Sequence, residues 1–366
     1  MIYETVRKVI VTLQEALKEW EPNKDTPWPQ FKYLEGEIGG NLTKTRTMAL
    51  SDDGVIHSLG YKSDMYIKTY TDTDRIEKQS VGHRGFIGNV AASDGYTYFL
   101  PAYGSSIGKL GRKTGSLNIE KKFTMSPQVR CGAEGNAGVI YMPSYTKTLK
   151  IFTYDTKTED VASFTPPKPN RYTFCNHIWG AAADKEGEIY MPPALGTSVA
   201  KIDKNGHFKY LDGHPVTSGV SGFSVKYVGA TYVEEVNKIF CLPRQGEMLL
   251  VINCEDDSYQ EFKLPEDYLA VANKNKNFHG FLAPDGWLYS AFWADTKCFR
   301  VNPRTLEVQW KDYEYEFMNG FPSVKTGSGI LSIGTGYSTA ALVKGNDVYL
   351  GLAGTSKAIK LEYENR

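Results

Sequence analysis

The sequence predicts an all-β protein: a seven-bladed β-propeller with four-stranded antiparallel blades, preceded by one N-terminal amphipathic α-helix. A pair of strand-like segments recurs along the chain, and Gly and Pro residues separate the copies. Counted between equivalent aromatic residues, Tyr98, Tyr141, Tyr190, Phe240 and Tyr289, the steps are 43, 49, 50 and 49 residues. Repeats of this length that contain only strands and turns are typical of propeller blades.

The clearest copy of the repeat lies at residues 187–206. A strand that ends in Tyr190-Met191-Pro192 is followed by a second strand, Lys201-Ile202-Asp203, and an Asn-Gly turn. The alternating aromatic and β-branched residues favour a half-buried strand. Six further strand pairs begin at Val55, Tyr98, Ile140, Ile239, Trp287 and Val348.

This strand pair resembles the blades of the NHL, streptogramin-lyase-like and gluconolactonase-like propellers, in which a Tyr-x-Pro segment precedes a Lys-Ile-Asp segment. The resemblance covers about 310 residues and singles out no one of these families, so it implies architecture more than activity. For an enzyme of the streptogramin-lyase-like group, it implies histidines, an acidic partner and magnesium at one face. For the gluconolactonase-like group, it implies a divalent metal held by Glu, Asn and Asp.

Composition and charge narrow the functional classes. The 42 basic and 42 acidic residues give zero formal charge, which argues against a broad nucleic-acid footprint. The five cysteines form no Cys-x-x-Cys pair, so we expect reduced thiols. No apolar run is long enough to span a membrane, and the charged N-terminus does not fit a signal peptide. We therefore expect a protein made in the cytoplasm, neither secreted by a signal peptide nor transmembrane.

The segment from Tyr3 to Trp20 has helical periodicity. Its apolar residues recur at three- and four-residue steps: Ile2, Val6, Val9, Ile10, Leu13, Leu17 and Trp20. Pro22 and Pro27 end the helix. A single amphipathic helix needs a surface to pack on. That surface is either the flank of the propeller or a partner, and for the second case we predict Ile2, Val6, Ile10, Leu13, Leu17 and Trp20 as docking residues.

The last repeat lacks a fourth strand, because the chain stops at Arg366 soon after Leu361. An unpaired strand edge is unfavourable. The sequence therefore predicts that a strand at about residues 30–38 completes the C-terminal blade. The predicted domains are residues 1–29, a helix and linker that dock, and residues 30–366, the propeller. The insertions at 265–277 and 313–336 are predicted to be irregular loops of the kind that carry function.

Ligand sites in propellers lie where loops converge at the mouth of the central channel. We predict ligand-binding residues there at Arg84, Arg130, His177, Trp179, Lys226, His279 and Tyr337. Arg46 is placed at the same mouth, and the loops between second and third strands add Tyr103, Tyr145, Arg244 and Trp293 to this face. Arginine, histidine and aromatic side chains around a concave mouth suit an anionic or carbohydrate-like ligand. The alternative is that these side chains pair with nearby carboxylates and carbonyls and close the channel.

If the protein is an enzyme, His177 and His279 are the general acid and base, since a histidine near its ordinary pKa serves either role. No Asp or Glu recurs beside them, and no metal-ligand or nucleophile motif is present. We predict no metal site and no cofactor.

The prediction is a binding or assembly scaffold that docks through its N-terminal helix and presents a propeller face to a protein or glycan. Its partner is another protein or a second copy of the chain, with a glycan or small anion at the mouth. One setting is a bacteriophage virion or tail. The alternative function is a lyase or lactonase-like hydrolase.

Overall fold

The computed structural model describes residues 22, 24–33, 47–61, 63–73, 75–146, 148–167, 177–213, 216, 225–272, 280–290, 297–313, 337–344, 346–353 and 358–363. The predicted helix from Tyr3 to Trp20 and the predicted loop at 314–336 lie outside these residues.

The described residues form thirty strands in chain order. The first fifteen are β1 (Gln30–Tyr33), β2 (Ala49–Leu50), β3 (Val55–Leu59), β4 (Met65–Tyr70), β5 (Ile76–Ser80), β6 (Phe86–Ala91), β7 (Tyr96–Pro101), β8 (Ser106–Gly111), β9 (Leu117–Lys121), β10 (Ala133–Glu134), β11 (Val139–Pro143), β12 (Ile151–Asp155), β13 (Val161–Phe164), β14 (His177–Ile178) and β15 (Ala182–Ala183). The others are β16 (Ile189–Met191), β17 (Pro193–Leu195), β18 (Ala200–Ile202), β19 (Phe208–Tyr210), β20 (Thr231–Val233), β21 (Lys238–Cys241), β22 (Met248–Asn253), β23 (Tyr259–Lys263), β24 (Gly280–Leu282), β25 (Leu288–Ser290), β26 (Lys297–Val301), β27 (Val308–Asp312), β28 (Tyr337–Lys344), β29 (Asp347–Ala353) and β30 (Ala358–Glu362).

These strands make seven four-stranded antiparallel sheets and one short pair, β14 with β17. We number the sheets as blades 1 to 7: β2–β5, β6–β9, β10–β13, β15-β16-β18-β19, β20–β23, β24–β27, and β28–β30 with β1. The first strands of blades 2 to 6 lie side by side. The prediction of an all-β propeller with four-stranded antiparallel blades is confirmed.

The hydrophobic cores lie between neighbouring blades. Leu59 and Tyr66 of blade 1 pack with Phe86 and Phe99 of blade 2, and all four are buried. Burying one such side chain contributes about 1.5–3 kcal/mol. Each blade is therefore stable only beside its neighbours.

The N-terminal strand completes blade 7. β1 pairs antiparallel with β30, with Gln30 opposite Glu362 and Tyr33 opposite Ile359. The strand expected at about 30–38 is present at its first four residues, and residues 34–46 lie outside the described part. Tyr349 of blade 7 also forms a side-chain hydrogen bond with Thr71 of blade 1. The two chain ends are thus joined in one sheet.

A cross-strand pair recurs in the blades. A tyrosine on the second strand faces a cation on the third, as Tyr98 faces Lys109 in blade 2. The cation then reaches the turn between the third and fourth strands of the next blade, where Lys109 Nζ lies 2.9 Å from Glu159 Oε1. The same register places Tyr190 opposite Lys201, Tyr289 opposite Arg300, and Tyr349 opposite Lys360.

Arg300 in blade 6 has no such turn to reach, because blade 7 takes its fourth strand from the N-terminus. Instead, Arg300 Nη2 donates to the Thr26 carbonyl at 2.7 Å. The guanidinium also lies 4.6 Å from the Trp28 ring, which packs edge-on against Tyr289 at 5.6 Å. We call residues 24–33 the closing segment. The predicted domain boundary after residue 29 therefore falls inside the closing segment, which contacts the propeller from Lys24 onward.

One helix is present where the sequence predicted an irregular loop. Glu266–Val271 is α-helical, and acidic residues lie in its first turn, where the helix dipole favours negative charge. Tyr268 is buried and packs against Phe299 and Trp310. The prediction of a loop was wrong because six residues are too few to show helical periodicity, and packing on blade 6 stabilises the turn. None of the described helices is long and apolar enough to cross a membrane.

Blade 1 carries a histidine where other blades carry the tyrosine. His57 is 1% exposed, and its Nδ1 lies 2.5 Å from the Tyr66 hydroxyl. Its Nε2 lies 2.8 Å from Ser51 Oγ, which in turn donates to Asp53 at 2.5 Å. With a neutral imidazole, each group in this series of hydrogen bonds has a partner: the Tyr66 hydroxyl donates to Nδ1, and the Nε2–H donates to Ser51 Oγ. Burial, with the nearby Lys68, lowers the pKa of His57 to about 4.

This pKa shift predicts acid sensitivity. The unfolded state protonates near pH 6.5, whereas the folded state does so only near pH 4, so stability is full above pH 6.5 and falls as the pH decreases between these values. The loss due to His57 at pH 5 is about 2 kcal/mol. Urea unfolding at pH 7.5 and 5 measures it, with His57→Gln as the comparison. If the free energy of unfolding falls by the same amount between pH 7.5 and pH 5 in both proteins, the prediction is wrong.

Candidate functional site

Backbone hydrogen bonds join neighbouring blades at one end of their strands. Gly85 N of blade 2 donates to the Gly60 carbonyl of blade 1 at 3.2 Å, and Val129 N of blade 3 to the Pro101 carbonyl of blade 2 at 3.3 Å. At blades 5 and 4, Lys226 N donates to the Ala194 carbonyl at 2.8 Å. The loops that enter first strands and those that leave second strands therefore meet at this end.

Six side chains from these loops form a continuous row, which we call the mouth arc. Its members are Tyr61 of blade 1, Tyr103 of blade 2, Tyr145 and Arg130 of blade 3, Trp179 beside blade 4, and Arg244 of blade 5. The arc crosses five of the seven blades.

The tyrosine half of the arc is a row of rings in tilted and edge-on contact. The Tyr61 and Tyr103 ring centroids are 5.0 Å apart, and those of Tyr103 and Tyr145 are 6.5 Å apart in an edge-on arrangement. Tyr61 is buried, whereas Tyr103 is 51% exposed. Burial and a hydrogen bond with Tyr103 raise the pKa of Tyr145, so its phenol stays protonated. This half offers aromatic surface and neutral hydroxyl groups.

The other half of the arc is cationic. The Arg130 guanidinium lies 4.5 Å from the Tyr145 ring and 4.0 Å from the Trp179 ring, and Arg244 lies 5.6 Å from the same Trp179 ring. Such cation–π contacts hold a guanidinium over the rings and leave its N–H edge to bind an acid. Among the described residues, no carboxylate lies within 4 Å of Arg130.

His177 lies next to this cationic half. Burial, and then the charge of Arg130, lower its pKa, so the imidazole is neutral at pH 7. Its Nδ1 atom and the Nε1 atom of Trp179 are both buried and make no hydrogen bond to any other described residue. An unmet buried group of this kind costs about 1–3 kcal/mol and calls for an explanation. The described residues contain no group of three or more His, Cys, Asp or Glu side chains that could hold a metal ion.

The structure brings together some of the sequence-predicted residues. Arg130 and Trp179 are in contact, and His177 is close enough to Arg130 for its pKa to respond. Arg84 is exposed at the same end of blade 2. Lys226 is 7% exposed, and its ammonium donates to the Val216 carbonyl, so it holds the backbone of the connection between blades 4 and 5.

The remaining predicted positions cannot be placed in the site. The side chain of Tyr337 is not described, although its backbone begins β28. Three others lie outside the described residues: Arg46, His279 and Trp293.

The sequence reasoning missed Tyr61. A signal was available, since Tyr61, Tyr103 and Tyr145 follow the second strands of consecutive blades at equal steps of 42 residues. The first repeat has no Tyr-x-Pro segment, which hid the equivalence.

Solved structures support the architecture. Virginiamycin B lyase from Staphylococcus aureus is similar at 14% identity and a TM-score of 0.69, over 92% of this chain and all of that one. The chain is a β-propeller. The resemblance to streptogramin-lyase-like propellers drawn from the repeats is confirmed at the level of fold.

Two other solved structures are also similar. An extracellular domain of a one-component system from B. thetaiotaomicron has 14% identity and a TM-score of 0.64, over 93% of this chain and 41% of that one. Hydrazine synthase from Kuenenia stuttgartiensis has 11% identity and a TM-score of 0.60, over 90% of this chain and 98% of that one. No family model and no curated protein matches the sequence. At these identities the likeness concerns the fold alone.

Proposed function

We propose that this β-propeller is a non-catalytic binding module that takes an anionic ligand at its channel mouth. The observation that supports the proposal is Arg130, stacked between Tyr145 and Trp179 with no described carboxylate within 4 Å. The proposal treats the seven sheets as one closed ring of seven blades, in which the mouth arc surrounds the channel opening.

The position of the Arg130 guanidinium favours recognition of an anion. A surface arginine normally points into water or pairs with an acid, and it then contributes little to recognition. Arg130 is half-buried between two rings, which fixes its orientation before a ligand arrives. A carboxylate or phosphate that meets the free edge can form two parallel charge-assisted hydrogen bonds. Preorganisation of this kind lowers the entropy lost on binding.

Arg130→Gln is expected to weaken anion binding by about tenfold or more, because a bond to a charged group contributes about 1.5–3 kcal/mol. The measurement is calorimetric titration of the full chain with glucuronate, benzoate, citrate and inorganic phosphate. Arg75→Gln is the control, since Arg75 pairs with Glu77 on the outer strand of blade 1. The proposal fails if no probe binds, or if Arg130→Gln binds the probes as tightly as the unchanged protein.

The proposal keeps a docking role for the N-terminal segment, whose apolar residues Ile2 to Trp20 would contact another protein or a second copy. A virion or tail component is one setting for such a module. Chain mass in solution, compared between the full protein and a chain that begins at residue 22, tests this role. We expect the full protein to form a larger assembly than the chain that begins at residue 22. If both proteins have the mass of a monomer and bind no partner, the docking role is wrong.

A second candidate is a lyase-like enzyme, and His177 is the observation that favours it. A neutral imidazole beside an arginine can accept a proton while the cation stabilises developing negative charge. Virginiamycin B lyase has also been solved with quinupristin, which supplies a probe. Chromatographic conversion of quinupristin that is abolished by His177→Ala or His279→Ala would support this candidate, and intact quinupristin after long incubation would oppose it.

A further inference from the structure

We propose that the ligand of the mouth arc is an acidic oligosaccharide, which lies with its sugar rings on the tyrosines and an acid group on Arg130. This inference rests on the proposed function, since it names the class of anion that the mouth binds. The whole mouth arc supports the choice of an oligosaccharide, whereas Arg130 alone would indicate only an anion.

The length of the arc favours an extended ligand. The row of Tyr61, Tyr103 and Tyr145 runs without a break into Arg130 and Trp179, and because Tyr61 is buried, Tyr103 and Tyr145 are the rings that can meet the ligand. A small anion would need only the arginine end. A row of rings supplied by consecutive blades instead matches a ligand that is itself a row of rings.

The chemistry of a sugar ring matches that of the tyrosine side chains. The C–H faces of a sugar ring are apolar and pack on aromatic faces, while its hydroxyl groups exchange hydrogen bonds with neutral phenols. Tyr103 is 51% exposed at the centre of the tyrosine row, and the raised pKa of Tyr145 keeps its hydroxyl able to donate. Tyrosines give this contact area with little loss of side-chain entropy.

Two unmet polar atoms lie beside Arg130. Trp179 Nε1 can donate, and Nδ1 of a neutral His177 can donate or accept. Hydroxyl groups next to the acid of a sugar could meet both, directly after a small shift or through one bridging water. A simple carboxylate such as benzoate carries no hydroxyl groups beside its charge.

A single-stranded nucleic acid would also stack on aromatic rings. It requires a positively charged groove that follows many phosphates. The chain has zero formal charge, and the described arc contains two cations at one end and none among its tyrosines. The oligosaccharide is therefore the class that the arc favours.

The experiment is calorimetric titration of the full chain with trigalacturonate, galacturonate monomer, the methyl ester of trigalacturonate, maltotriose and a thymidine octanucleotide. We expect the acidic trisaccharide to bind about tenfold tighter than its monomer and about tenfold tighter than its ester. A sulfated trisaccharide identifies the acid: tighter binding than trigalacturonate assigns a sulfate ester, and weaker binding assigns a carboxylate.

Two variants separate the halves of the arc. Tyr103→Ala should weaken trisaccharide binding more than monomer binding and so reduce the advantage of the trisaccharide, whereas Arg130→Gln should weaken both acidic ligands to a similar extent. Circular dichroism and the unfolding midpoint establish that each variant is folded.

Equal affinity for monomer and trisaccharide, or tighter binding of the octanucleotide, would overturn this inference while an anion-binding mouth remained. Binding of maltotriose as tightly as trigalacturonate would overturn both, since charge would then play no part. Absence of binding to every anion would likewise remove the proposed function itself.

Discussion

Replacing Arg300 with alanine is expected to destabilise the protein by about 3–5 kcal/mol, the cost of removing one partner of a buried charged network. Arg300 is 1% exposed and donates to Tyr289, Gln309 and the Thr26 carbonyl. It is also stacked on Trp28 and Trp287. The substitution opens a cavity and leaves these acceptors without a donor. Urea unfolding of the full chain measures the loss.

Lys109→Ala is the matched control, because Lys109 occupies the same register position in blade 2. Its ion pair with Glu159 is partly exposed, with 23% and 37% of the two side chains accessible. Such pairs contribute about 0.2–1 kcal/mol. Similar losses for the two variants would show that the N-terminal contact of Arg300 adds nothing to stability.

Removing the closing segment is expected to cost about 4 kcal/mol or more. A chain that begins at residue 34 loses β1, exposes the edge of β30, and removes Trp28 from contact with Tyr289 and Tyr313. Loss of a fully buried tryptophan side chain costs about 3–5 kcal/mol; Trp28 is half-buried, so its loss contributes part of the expected total and the broken pairing of β1 with β30 contributes the rest. Denaturant midpoints are compared with those of a chain that begins at residue 22, which retains the segment.

If the shorter chain does not fold, Trp28→Ala in the full protein provides the second measurement. Because Trp28 and Arg300 are in contact, their substitutions should not add: the double variant should lose less than the sum of the two single losses. Additive losses, or a chain from residue 34 as stable as one from residue 22, would contradict closure through this segment.

The repeat made much of the fold predictable. Six of the seven second strands carry an aromatic residue, and many of the turns carry Gly or Asp, so most of the strand order could be read locally. The missing fourth strand at the C-terminus also indicated the pairing of β1 with β30, because an unpaired edge is unfavourable wherever it lies. The helix at Glu266–Val271 could not be predicted, since its stability comes from Tyr268 packing on another strand pair.

The site was less predictable. Arg130, His177 and Trp179 were identified because they flank first strands, and the structure brings them together. Lys226 flanks a first strand in the same way, yet its ammonium is turned inward to a carbonyl. Sequence position fixes the end of the blade at which a residue lies, whereas side-chain direction depends on the neighbouring loops.

By itself, the sequence determined that strands recur at blade length and that the last blade needs a strand from elsewhere. The tertiary structure alone decided which cations have partners within the fold. Arg300 and Arg130 are both arginines next to aromatic residues, but one donates to the Thr26 carbonyl and the other meets no described acid. The reason is physical: the free energy of a charge depends on its solvation and partners, and residues distant in the chain supply both.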